Sequence, residues 1–263
     1  MKTVVITGGS RGLGFELAKQ FRDRNYNVVI CATSEESTEK AVNQLKTENA
    51  KVAGKKCNVS DVSEVEALAD FAVSQFGSID IWINNAGVNQ SFKYFWELDE
   101  KELDFLMAVD LKGAVNGTGV AVRRMMKQGH GAVYNVEGMG SEGQLQSCFS
   151  LYGTAKRAVT YFTDAAVHEV KEKNLPVIIG KISPGIMITD FLTSANGRSN
   201  QTELSEKTKN AYNILGDYPD VIAEYIVNKI EANKKNGARL SWLTKRKAMW
   251  RMMTSGIKKR KMI

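Results

Sequence analysis

The sequence predicts an α/β fold, a doubly wound and mostly parallel sheet of about seven strands with helices on both faces. Three observations lead there. Short apolar runs alternate with longer amphipathic ones along all 263 residues, an order that requires a parallel sheet covered on both sides. The first run, Thr3 to Thr7, leads through Gly8-Gly9-Ser10-Arg11-Gly12-Leu13-Gly14 into an amphipathic stretch ending near Arg24. Later runs also end in short polar or glycine-rich segments, at the strand ends where such sheets bind ligands.

Glycines at 8, 12 and 14 let the first turn close tightly and approach a pyrophosphate resting on the N–H groups of the helix start, with Ser10, Arg11 and Leu13 in the same turn. Asn27 to Ala32 forms the second strand. An acid at its tip would bind the ribose of NAD; Cys31-Ala32-Thr33-Ser34 with Arg11 nearby favours the 2′-phosphate of NADP(H) over NAD(H), with Glu35 and Glu36 close behind. Thr33 is the contact residue there.

A helix over Glu35 to Asn49, a strand over Lys51 to Cys57 and a helix over Val62 to Phe76, closed by Gly77, continue the alternation. Asn58 and Val59 fall where an adenine ring meets the sheet edge. The fourth strand, Ile79 to Ile83, ends in Asn84-Asn85-Ala86-Gly87, whose short side chains admit a cofactor and whose amides can tie strands together. The aromatic segment Ser91-Phe92-Lys93-Tyr94-Phe95-Trp96 reads equally as core or as substrate pocket. Asp99 opens a helical region to about Gln128, suited to packing on the sheet and on a second subunit.

Gly131 to Val136 is the fifth strand, and the loop from Glu137 to Gly143 leads toward Tyr152. Tyr152 and Lys156 sit early in a helical pattern from Leu151 to Val170 and, four residues apart, share one face. An ammonium beside a phenol lowers the phenol pKa and makes it a proton shuttle. Pro176 to Ile182, Pro219 to Glu231 and Ala238 to Trp242 read as strand, helix and strand. Pro184, Gly185, Ile188 and Thr189 follow the sixth strand, and residues 186–216 read as a polar lid.

Composition bounds the function. With 43% hydrophobic and 25% charged residues the chain can bury a full core. From Gly237 onward there are nine Lys or Arg and no acid, so the formal charge of +7 lies in the tail and residues 1–236 are close to neutral. That distribution argues against nucleic-acid binding, which needs a basic folded face. No apolar run approaches the roughly 18 residues of a bilayer span and no leader pattern precedes the first strand, so a cytoplasmic protein is expected. The cysteines, Cys31, Cys57 and Cys148, lack metal-ligand spacing and are expected to be reduced, with Cys148 lining the Tyr152 site.

Taken together, the glycine turn after Thr7, Asn84-Asn85-Ala86-Gly87, Tyr152-x3-Lys156 and Ser183-Pro184-Gly185 resemble the short-chain dehydrogenase/reductase family over nearly the whole chain. The resemblance implies a Rossmann-like domain over residues 1–242, followed by a basic tail over 243–263. It also implies hydride transfer between nicotinamide and a carbonyl or alcohol. In it Tyr152 transfers the proton and Lys156 binds the ribose, Asn85, Ala86 and Gly87 contact the cofactor, and Pro184 to Thr189 hold its nicotinamide end.

Two positions depart from the family pattern. The serine usually found thirteen residues before the tyrosine is Met139, next to Gly138, and Ser141 is expected to replace it rather than Ser147. The asparagine usual in the long helix is Asp110, expected to support Lys156.

A narrower likeness, carried by Asn135 to Ser141, Tyr152 to Arg157, Ser91 to Lys93 and Pro219 to Tyr225, is to the chlorophyll b reductase branch, which reduces a formyl group on a large tetrapyrrole. The expectation is an NADP(H)-dependent reductase of a bulky hydrophobic carbonyl, assembled as a homodimer or homotetramer. A polycyclic or steroid alcohol dehydrogenase and a low-turnover dinucleotide-binding regulator are the alternatives. The tail, with Trp242, Met249, Trp250, Met252 and Met253 among cations, is expected to pack on its own domain, cover the cleft or touch a membrane.

Overall fold

A computed structural model describes residues 1–189, 194–195, 198–199, 206–256 and 260–262. Seven parallel strands form one sheet in the order β3-β2-β1-β4-β5-β6-β9. They are β1 (Thr3–Thr7), β2 (Asn27–Ala32), β3 (Val52–Lys56), β4 (Ile81–Asn84), β5 (Ala132–Val136), β6 (Ile178–Ser183) and β9 (Arg239–Ser241). The central strands read as unbroken apolar runs because both faces are covered: all five residues of β1 and all four of β4 are buried.

One face carries α1 (Gly12–Asp23), α2 (Glu35–Leu45) and α8 (Pro219–Ala232). Leu13, Leu17 and Phe21 of α1 recur every fourth residue and form a buried stripe, met by Ile222, Ile226 and Ile230 of α8. The other face carries α3 (Val62–Phe76), α5 (Gly113–Gln128) and α6 (Ser150–Glu172), packed around Trp82 and Met125. Caps set several ends: Ser34, Asp61 and Asp99 accept from backbone N–H groups at the starts of α2, α3 and α4 (Glu100–Leu106), and Gly77 and Gly129 close α3 and α5 with positive φ.

The helical region expected from Asp99 to Gln128 is present, and other expectations are corrected. Helix α2 stops at Leu45, four residues early, because Lys46 turns to extended backbone. The region from Asp99 is α4 (Glu100–Leu106), a π-helical turn at Met107–Lys112 and α5, wound as one rod. Over 18 residues of that rod the mean hydropathy reaches 1.2, enough by length and composition for a bilayer span, but half of that window is buried in the fold, as for a core helix. The aromatic segment is neither core nor cleft lining: Tyr94, Phe95 and Trp96 are exposed, with Tyr94 and Trp96 stacked at 4.8 Å.

Of the expected lid, 190–193, 196–197 and 200–205 lie outside the described residues, as do Lys258 and Lys259 of the tail. The remainder includes two paired short strands, β7 (Ser194–Ala195) and β8 (Arg198–Ser199), and a helix, α7 (Glu206–Leu215), where only polar loop was expected. The tail holds α9 (Lys245–Thr254).

Candidate active site

A cleft of about 900 Å³ lies outside the strand ends where the sheet order reverses, between β1 and β4. At one end stands the glycine turn. Gly8 has φ +63°, and a Cβ there would lie 2.8 Å from the Ala86 Cα, so only glycine lets β1 and β4 end so close together. Asn85 fastens the pair, its Nδ2 donating to the carbonyls of Thr7 and Gly8 at 3.0 Å. Arg11, the N-cap of α1, gives the helix start no side-chain hydrogen bond, and no acid occupies the first turn. The N–H groups there are left for an anion, the donor set a dinucleotide pyrophosphate needs.

Of the expected cofactor residues, Gly8, Ser10, Arg11, Gly12, Leu13, Thr33, Asn58, Val59, Asn85, Ala86, Gly87, Ile188 and Thr189 line this cleft together with Tyr152 and Lys156. Three do not. Gly14 supports the turn from behind, where a Cβ would overlap the Gly8 carbonyl oxygen. Pro184 is buried, and Gly185 (φ +76°) abuts Leu243, so both shape the chain after β6 rather than face the cleft. Cys148 is not among the lining residues either.

At the other end Tyr152 and Lys156 project from α6, with Lys156 Nζ 5.5 Å from the Tyr152 ring centre. The Gln90 side chain accepts from the Tyr152 backbone N–H at 2.9 Å, and Phe149 packs edge-on to the ring. Asp110 arrives from the π-helical turn, wholly buried. Its Oδ1 accepts from Val88 N at 2.7 Å and its Oδ2 lies 2.9 Å from Lys156 Nζ. That Oδ2 has no well-directed hydrogen bond and holds the ammonium by charge. Asp110 therefore stands behind the lysine, outside the cleft lining, and Gly87 leaves room for the pair.

Burial dominates the electrostatics. It pushes the Tyr152 phenol up to about 12; Lys156 pulls it down, while Asp110 and Tyr212 push it further up. The expected lowering by Lys156 is present but outweighed, because desolvation of the phenolate exceeds one partly neutralised ammonium. Burial also opposes charge on Lys156, yet Asp110 and Tyr152 more than offset it and hold its pKa above the usual lysine value. Asp110 is itself raised by burial, against the pull of Lys156.

Ser141 is not brought to the phenol. It is buried, its Oγ donates to the Lys156 carbonyl at 3.2 Å and accepts from Gly138 N at 3.1 Å, and it does not line the cleft. The expectation that it polarises a carbonyl is corrected: its hydroxyl staples the loop to α6. Gly138 is the residue that faces Tyr152, and a Cβ there would overlap the Tyr152 Oη.

Sequence reading missed Glu137, Phe105 and Tyr218 in the cleft wall. Glu137 is buried and held by Arg239 Nε at 2.6 Å and Thr160 Oγ1 at 3.0 Å, and Arg239 also grips Glu142, so one cation spans the active-site loop. Phe105 was legible as the residue one helical turn before Val109. Tyr218 carried no local signal.

A family model described as short chain dehydrogenase matches residues 2–200. A probable chlorophyll(ide) b reductase, NYC1, of Arabidopsis thaliana is 31% identical over 276 residues, covering 98% of this chain and 54% of its own. The chlorophyll(ide) b reductase NOL of the same plant is 34% identical over 239 residues, covering 89% and 67%. The chain thus spans about half the length of the first relative and two thirds of the second. Among solved structures, a variant of actinorhodin polyketide ketoreductase with NADPH superimposes with a TM-score of 0.80 at 23% identity, covering 92% of this chain and 95% of that one. The glycine turn, the Tyr152–Lys156 pair and these matches agree, and the chain belongs to the short chain dehydrogenase family, whose members are NAD(P)-dependent oxidoreductases.

Proposed function

We propose that the protein uses NADPH to reduce an aldehyde or ketone on a bulky hydrophobic molecule, a formyl tetrapyrrole being the leading candidate. The observation that carries this reading is the pairing of Tyr152 with Lys156 at the far end of a cleft that begins at the glycine turn. Arg11 and Thr33 at the cleft edge, with no acid at the tip of β2, support NADP(H) over NAD(H). The names of the plant relatives support the formyl substrate. Phe105, Val88, Val109 and Met187 in the cleft wall supply apolar contact.

Bound NADPH supplies the hydride. Tyr152, protonated at neutral pH, donates its phenolic proton to the oxygen of the substrate as charge develops there. Lys156, kept as an ammonium by Asp110, stabilises the phenolate left behind and takes the cofactor ribose. The names of the plant relatives rank the steroid or polycyclic alcohol dehydrogenase below the reductase. Assembly as a homodimer or homotetramer through the rod from Glu100 to Gln128 and a cytoplasmic location belong to the same proposal; the plant relatives are named chloroplastic.

One observation favours a second reading, a dinucleotide-binding regulator with little turnover: Gly138 packs directly against the Tyr152 hydroxyl, and the Ser141 hydroxyl expected there bonds to the Lys156 carbonyl instead. NADPH oxidation against formyl tetrapyrroles and oxosteroids, wild type beside Tyr152→Phe, separates the two. Turnover lost in the variant supports the reductase, and the better substrate selects the branch. Tight NADPH binding with no tyrosine-dependent turnover on either class supports the regulator.

A further inference from the structure

Helix α9 presents its apolar side to solvent. At 100° per residue, Lys247, Ala248, Arg251 and Thr254 fall on one side, and Lys245, Arg246, Met249, Met252 and Met253 on the other, with Trp250 at its border. The first group faces the protein. The second is exposed, Met249 by 57%, Met252 by 54% and Met253 by 78%. A surface helix ordinarily does the reverse.

The cause is an ionic anchor. Asp217 is buried and accepts from Arg251 Nη1 at 2.6 Å, Arg260 Nη2 at 2.7 Å and Trp242 Nε1 at 2.7 Å, while Arg251 Nη1 also donates to the Leu215 carbonyl. Pinning the charged side inward turns the methionines out. Lys245 and Arg246 share the methionine side, and from Gly237 onward the chain has nine cations and no acid. Beside the helix lies a hollow of about 460 Å³, lined in part by Asn210, Asn213, Arg251 and Arg260, and both of these arginines pair with the single carboxylate of Asp217.

A stable protein interface needs roughly 800 Å² from each partner, more than one side of a ten-residue helix offers. A bilayer needs only an apolar stripe bordered by cations. We propose that α9 docks the protein on an anionic lipid bilayer, with Met249, Met252 and Met253 at the acyl boundary and Lys245 and Arg246 on the head groups. The anchor residue Asp217 is followed by Tyr218 and Pro219, which line the catalytic cleft, so docking brings the cleft close to solutes dissolved in the membrane. The inference goes beyond the reductase reading and does not depend on it.

Cosedimentation of the full chain with vesicles tests it. Wild type pellets with phosphatidylcholine vesicles containing phosphatidylserine and stays in the supernatant with phosphatidylcholine alone. Met249→Ser/Met252→Ser/Met253→Ser lowers the partition by about tenfold or more, and Lys245→Gln/Arg246→Gln lowers it by about fivefold per cation. Neither variant changes NADPH affinity or the thermal midpoint, which certifies the fold. Wild type that ignores anionic vesicles, or a triple-serine variant that binds them as well as wild type, overturns the proposal. So does a triple variant whose only change in sedimentation velocity is lost self-association, which assigns the stripe to a second copy of the chain.

Discussion

Asp110 Oδ2 lies 2.9 Å from Lys156 Nζ, and both groups are almost fully enclosed. A buried pair of this kind is costly to break on one side only, because the surviving charge keeps no counter-ion. Lys156→Ala is expected to abolish turnover and to lower stability by about 3–5 kcal/mol. Lys156→Ala combined with Asp110→Asn should recover most of that stability and none of the turnover. Chemical denaturation of the two variants checks this, and a double variant no more stable than the single one would show that the pair is not the source.

The phenol sets a pH dependence whose sign is fixed. A group with a raised pKa keeps its proton to higher pH, so the acid needed for reduction is present below about 12 and lost above it. The profile of kcat/KM for carbonyl reduction, which reports the free enzyme, should show no phenol-linked fall below about pH 10. Asp110→Asn removes one of the charges that raise Tyr152, so the fall moves to lower pH. A wild-type profile already falling at about pH 8 would contradict the burial of the phenol.

Gly138 admits no side chain beside the Tyr152 hydroxyl. Gly138→Ser, which places a hydroxyl next to the phenol, is expected to displace Tyr152 rather than assist it. Turnover should drop about a hundredfold, the usual effect of moving a reacting group by roughly 1 Å, while NADPH binding persists. A faster Gly138→Ser enzyme would mean that the site lacks only a carbonyl donor.

Cofactor choice rests on Arg11 and Thr33. Arg11→Ala should raise the KM for NADPH by about tenfold or more, the loss of a charged hydrogen bond, and leave NADH little changed. Thr33→Asp should weaken NADPH further and improve NADH. Equal effects on both cofactors would place the 2′-phosphate elsewhere.

Tyr152 and Lys156 were legible because helical spacing alone brings them together, and the glycine turn because its backbone demands are local. Ser141 was misread for the opposite reason: its distance along the chain from Tyr152 says nothing about where its hydroxyl bonds, and the Lys156 carbonyl claims it. The number of sheet strands and their parallel direction followed from alternation. Helix α7 did not, since its first five residues are all polar and its apolar ones, Ala211, Tyr212, Ile214 and Leu215, are confined to its second half, too short a run to distinguish helix from loop. The facing of α9 was hidden as well, because an amphipathic pattern reveals two sides and not which one turns inward; Asp217, well ahead of the helix start at Lys245, decides it.

The π-helical turn at Met107–Lys112 inserts additional winding between α4 and α5. A regular α-helix would lock the two into a single phase, so that any residue chosen to face the cleft would dictate which residues face the sheet. The widened turn uncouples them. Phe105 and Val109 are phased to the cleft, Asp110 to the lysine, and Gly117 and Ala121 to the sheet. Removing one residue from the turn would restore regular winding and swing the carboxylate away from Lys156 by about 100°, so the placement of this buried charge is written in the length of the segment as much as in its composition.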